Sequence, residues 1–73
     1  MSRTFTAIIE RDGDGYVALC PELDIASQGN SVTEARSNLA EAIEMFMETA
    51  SDEEKQRRLS GEVYVTQVEV EVA

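Results

Sequence analysis

Residues 29–50, GNSVTEARSNLAEAIEMFMETA, decide the fold. Gly29-Asn30 reads as a turn, and Ser31-x-x-Glu34 has the form of a capping box. In such a box the Ser hydroxyl accepts the backbone N–H three residues on, and the Glu reaches back to the cap's own N–H. Beyond it, Val32, Ala35, Leu39, Ala42, Ile43, Phe46 and Ala50 recur at the spacing that lays side chains along one face of an α-helix. Thr33, Glu34, Arg36, Ser37, Glu41, Glu44 and Glu48 fall on the other face. The pattern predicts an amphipathic helix of about five turns. Its apolar stripe needs a surface, and only the remaining residues or another copy of the chain can supply one.

The stretches on either side of this helix predict that surface. Residues 3–10, RTFTAIIE, are rich in β-branched and aromatic residues and read as a strand. Asp12-Gly13-Asp14-Gly15 is hairpin-turn chemistry, with glycine supplying positive φ, and residues 16–20, YVALC, form a second strand. Closing the hairpin at Gly13-Asp14 sets Ile9 opposite Ala18, Ile8 opposite Leu19 and Ala7 opposite Cys20. Phe5, Ala7, Ile9, Tyr16, Ala18 and Cys20 then share one face, where small residues admit a helix, and Ile8, Val17 and Leu19 share the other. Pro21 cannot donate to a ladder and ends the second strand. Residues 24–28 read as a short third strand.

After the helix, Ser51-x-x-Glu54 opens a second capping box and a polar helical connector of about two turns. Residues 62–72, EVYVTQVEVEV, alternate strictly. Tyr64, Thr66, Val68, Val70 and Val72 fall on one side, Val63 and Val65 on the other. A strand that follows one crossover helix is expected to lie parallel to the strand it joins. The expected fold is thus α+β and two-layered, β-β-β-α-β, with a four-stranded mixed sheet in the order 3-2-1-4. One main helix covers one face, and the chain is one domain over residues 1–73. The last strand is long enough that its open edge would invite aggregation, so another subunit is expected to cover it.

Composition narrows the function. The 73 residues carry 15 acidic and 6 basic side chains, a net charge of −9, which disfavours direct nucleic-acid binding. A chain this short buries only about 60% of its unfolded surface, and self-association is one way to bury more. Cys20 is the single cysteine and there is no histidine. No internal disulfide or zinc cage follows, and the free thiol suits a reducing cytoplasm. The N-terminal stretch lacks the long apolar run of a signal peptide, and nothing approaches the roughly 18 apolar residues of a membrane span. The expectation is a soluble cytoplasmic protein with no cofactor.

Several fragments together resemble the HicB-like antitoxin family. They are F-T-A-I-I-E-x-D-G-D-G-Y-V-A at Phe5 to Ala18, C-P-E-L at Cys20, Pro21, Glu22 and Leu23, and G-N-S at Gly29 to Ser31. The last is E-A-x-x-N-L-x-E-A-I, carrying Glu34, Ala35, Asn38, Leu39, Glu41, Ala42 and Ile43. The resemblance implies a truncated ribonuclease-H-like topology. It also implies a non-catalytic antitoxin that binds and blocks a small basic RNA-cleaving toxin. Many members of that family carry an additional C-terminal operator-binding domain. Here residues 51–73 offer only the connector and one strand, so operator binding is not expected.

Each candidate site has a plainer explanation. Asp12, Asp14, Glu22 and Asp24 could hold a divalent metal in a vestigial nuclease, but turn chemistry already accounts for them. Cys20 lacks an activating base and reads as a small buried residue. Asn38 either pins the Cys20–Leu23 turn or a partner's backbone, or makes local bonds. Tyr16 and Tyr64 are sheet packing or partner anchors. Ile8, Val17 and Leu19 on the open face, with Tyr64, Val68, Val70 and Val72 of the last strand, are the candidates for an oligomer or partner surface. Two functional readings stand beside the antitoxin one: a solitary oligomeric regulatory or structural domain, and the vestigial nuclease.

Overall fold

The computed structural model describes residues 2–73. Three strands are followed by two helices: β1 (Ile8–Asp12), β2 (Gly15–Cys20), β3 (Ile25–Gly29), α1 (Val32–Thr49) and α2 (Asp52–Leu59). The strands form an antiparallel sheet in the order β1-β2-β3. Ile8 pairs with Leu19, Ile9 with Ala18 and Asp12 with Gly15, the register expected from the Gly13-Asp14 turn. Gly13 has a φ of +60° and Asp14 does not share the left-handed region, the pattern of a type II′ turn with glycine first.

The helix lies on the expected face. Ala18, Cys20, Leu23, Ala35 and Leu39 form the buried core, with Phe5, Ile9, Tyr16, Ile25, Ile43, Phe46 and Leu59 packed around it. Small residues set the approach. A Cβ placed on Gly29 would come within 2.5 Å of the Ala35 amide nitrogen, so β3 and the first turn of α1 meet backbone to backbone. Gly29 therefore ends β3 rather than forming a turn, and its lack of a side chain seats the helix. α1 lies mainly over β3, less over β2 and least over β1. Ala7, expected beneath the helix, is consequently exposed.

Both helix starts are capped, each with a departure from the reciprocal box. Ser31 Oγ accepts the Glu34 N–H at 3.0 Å, but the Glu34 carboxylate takes the N–H of Asn30, not that of Ser31, at 2.9 Å. Ser51 Oγ accepts the Glu54 N–H at 3.1 Å, while the Glu54 carboxylate turns away to Arg57 and Arg58. Arg58 also donates to the Leu23 carbonyl oxygen and stacks over Phe46 at 5.3 Å. That tie, with Leu59 in the core rim, makes α2 a packed element and not a frayed connector. Asn38 pins a backbone segment, though not the turn after Cys20: its Nδ2–H donates to the Gln28 carbonyl oxygen of β3 at 2.7 Å.

The main correction concerns the end of the chain. The expected fourth strand is absent, so the sheet has three strands, the 3-2-1-4 order does not form, and the ribonuclease-H-like topology is not reached. Tyr64, Val68, Val70 and Val72 are 80%, 87%, 71% and 85% exposed. The overall dimensions are 49 × 29 × 20 Å and the radius of gyration 14.4 Å, against about 11 Å for a compact chain of this length. A strand laid parallel to β1 with Glu62 beside Arg3 would bring Glu69 opposite Glu10 and Glu71 opposite Asp12, where like charges repel across the ladder, whereas a shift of one residue sets Glu71 opposite Arg11.

Two substitutions separate these contributions. Gly29→Ala forces β3 and α1 apart and is expected to cost about 1–3 kcal/mol, lowering the melting temperature by roughly 5–15 °C. Asn38→Leu removes the tie to Gln28 and is expected to cost about 1 kcal/mol, or roughly 4–8 °C. Thermal denaturation followed by circular dichroism measures both, and an unchanged transition for either variant would remove that contact from the list of stabilising ones.

Candidate interaction surface

Pro21 determines the geometry at one end of the sheet. Continuing the β1–β2 register would set Thr6 opposite Pro21, which has no N–H to give, and the ladder stops at Ile8. The Glu22 carboxylate takes over. It accepts the Thr6 N–H at 3.1 Å and the Thr6 hydroxyl at 2.6 Å, and lies 3.5 Å from the Cys20 sulfur. The Thr6 hydroxyl is the first cause that holds the Glu22 carboxyl below its ordinary value. Burial pushes the Cys20 thiol up, with the adjacent Glu22 charge adding to it and the Leu23 backbone partly offsetting it. Cys20 is fully buried and held as a thiol, a poor nucleophile. The chain continues from Asp24, whose φ of 54° lies in the left-handed region that aspartate tolerates. The Thr6–Glu22 contact was not legible as a pair, because the residues are joined only once the hairpin register and the proline are considered together.

The four acidic candidates do not converge. Asp12 and Asp14 sit at the hairpin tip, and Glu22 and Asp24 lie at the opposite end of β2. Among the described residues, no group of three or more such side chains is arranged to hold a metal ion.

Two surfaces remain open. The first is the sheet face away from α1, where Ile8 is 39% exposed beside half-buried Val17 and Leu19. Glu10 and Asp12 share this face, so an apolar centre has an acidic margin. The second is the outer edge of β1, which has only β2 as a neighbour. A groove of about 770 Å³ runs between residues 3–7 and α1, with Phe5, Leu39, Ile43 and Met47 in its walls. Tyr16 packs at the core rim, under Arg11, whose guanidinium lies 5.2 Å from the ring centre and donates to the Tyr16 hydroxyl oxygen. Tyr64 is exposed, its hydroxyl donating to the Glu62 carboxylate. No helix of the described residues is long and apolar enough to cross a membrane.

The Glu22 contact has a pH signature. A carboxyl with a lowered folded value contributes its stability in full above its ordinary value of 4.5 and loses it as pH falls through the folded value. Glu22→Gln is therefore expected to be less stable than the parent at neutral pH, with the difference shrinking on acidification below that ordinary value. Urea denaturation across the acid range measures this, and a pH-independent difference would show that the charge on Glu22 is not what holds Thr6.

No family model and no solved structure matches the chain. Curated relatives do. A UPF0150 protein of Synechocystis sp. is 44% identical over 50 residues, covering 66% of this chain and 69% of the relative. A UPF0150 protein of Thermotoga maritima is 41% identical over 54 residues, covering 70% of this chain and 72% of the relative. One from Helicobacter pylori is 48% identical over 42 residues, covering 56% and 58%. The family name states no activity. With identity above two in five across more than two thirds of the first two relatives, the chain belongs to the UPF0150 family.

Proposed function

We propose that this protein is a non-catalytic, cytoplasmic protein-binding module of the antitoxin type, whose partner is a small basic RNA-cleaving protein. The observation that carries the reading is the uncovered sheet face. Ile8, Val17 and Leu19 offer an apolar centre, and Glu10 and Asp12 flank it on a chain with a net charge of −9. An apolar patch with a charged margin is the usual anatomy of a protein interface, and acidic groups at its edge select and steer a basic partner. The resemblance of residues 4–50 to HicB-like antitoxins supports the same reading. The same charge argues against direct nucleic-acid binding, and the module is proposed to work as a homodimer or larger oligomer.

The experiment is co-expression with a short basic chain encoded beside it. The two are expected to co-purify at low salt and separate at high salt, and the growth arrest caused by the basic chain is expected to be relieved. Ile8→Glu should abolish both effects while leaving the circular dichroism spectrum unchanged. Absence of any such neighbouring chain, or a neighbour whose toxicity persists, overturns the reading. Release of cleaved RNA on adding magnesium or manganese to the purified protein would instead favour the nuclease alternative.

A further inference from the structure

Among the described residues, six of the nine exposed large hydrophobic ones lie in one segment: Val63, Tyr64, Val65, Val68, Val70 and Val72. Among the described residues, no backbone hydrogen bond joins residues 62–73 to the rest of the chain. The outer edge of β1 has no strand beside it, and the apolar groove runs along its N-terminal extension. From these two unpaired features we infer that residues 62–72 of one copy add as an antiparallel strand to the outer edge of β1 in a second copy, forming a strand-exchanged homodimer.

Charge and apolar pairing suit this polarity. With Glu62 beside Arg11, an antiparallel strand sets Tyr64 opposite Ile9, Val65 opposite Ile8, Val68 opposite Phe5 and Glu69 opposite Thr4. Apolar residues meet apolar ones in both rows, and no like charges face each other. Arg11 is already fixed over Tyr16, presenting its charge at that end of β1. Val68 and Val70 enter the groove wall formed by Phe5, Ile43 and Met47. A parallel alignment with Glu62 beside Arg3 instead opposes Glu69 to Glu10 and Glu71 to Asp12. The other sheet edge is a poorer acceptor, because α1 lies over β3 and Asn38 occupies the Gln28 carbonyl oxygen.

Reach disfavours the same chain as donor in this polarity. α2 is tied to Leu23, and Leu23 adjoins Glu22, the residue that holds Thr6. Arg11 lies five residues further along, about 17 Å from Thr6 in a strand. The three residues from Leu59 to Glu62 span at most about 11 Å. A single copy leaves its tail unpaired, whereas a second copy is free to present it in the antiparallel sense. The pairing stands independently of whether the partner on the open sheet face is a toxin.

The test uses the full chain carrying both Ile8→Cys and Val65→Cys. Opposed residues of an antiparallel pair have Cα atoms about 4.5–5.5 Å apart, within disulfide range. Mild oxidation is expected to give a covalent dimer on non-reducing electrophoresis. A closed monomer or an uncrosslinked chain overturns the proposal. Light scattering provides the second measurement: the parent is expected to have twice the chain mass, and a chain lacking residues 68–73 to be monomeric with unchanged circular dichroism. Equal masses for the two chains likewise overturn it.

Discussion

The close seat between α1 and the β2–β3 half of the sheet is the constraint on which the structure depends. Gly29 brings β3 against the backbone of Ala35, and Ala18 and Cys20 are small enough to let Leu39 and Leu23 close the core. Among the described residues the buried set is five, so a displacement of the helix by one methyl group would open much of it. The same seat places the helix off-centre. Because α1 is drawn towards β3, the β1 side is left under-covered, which exposes Ala7 and opens the groove beside Phe5.

At the under-covered side, the chain relies on polar ties in place of apolar burial. Pro21 interrupts the ladder, and the carboxylate of Glu22 substitutes for the missing partner by holding the amide and hydroxyl of Thr6. Arg58 performs a comparable task at the neighbouring turn, joining α2 to the Leu23 carbonyl oxygen while its charge is offset by Glu54. The two ties keep residues 3–7 and α2 in place at one end of the sheet, and so fix both the free edge of β1 and the point from which residues 62–73 depart. An edge and a tail that do not satisfy each other within one molecule are a physical motive for association.

The hairpin register, the helix face and both N-caps were legible in the sequence because each is set by residues close together in the chain. Gly13 fixes the turn, the three- and four-residue spacing fixes the stripe, and Ser31 and Ser51 sit next to the amides they accept. The C-P-E-L signature was legible as a strand stop but not as a clasp, since the Glu22 partner is contributed by the preceding strand. Asn38 was legible as a pinning residue but not its acceptor, which depends on how far along β3 the helix lies. The candidate surface divides in the same way. Ile8, Val17 and Leu19 could be assigned to one face by alternation alone, whereas Tyr64, Val68, Val70 and Val72 could be grouped but not placed.

The sequence by itself determined the local elements and the antiparallel meander, which follow from short-range periodicity and turn chemistry. Only the tertiary structure decided that residues 62–72 are left outside the sheet. Alternation measures a segment's readiness to pair. It carries no information on whether an edge lies within reach, and here the segment leaves α2 without a backbone bond to the sheet.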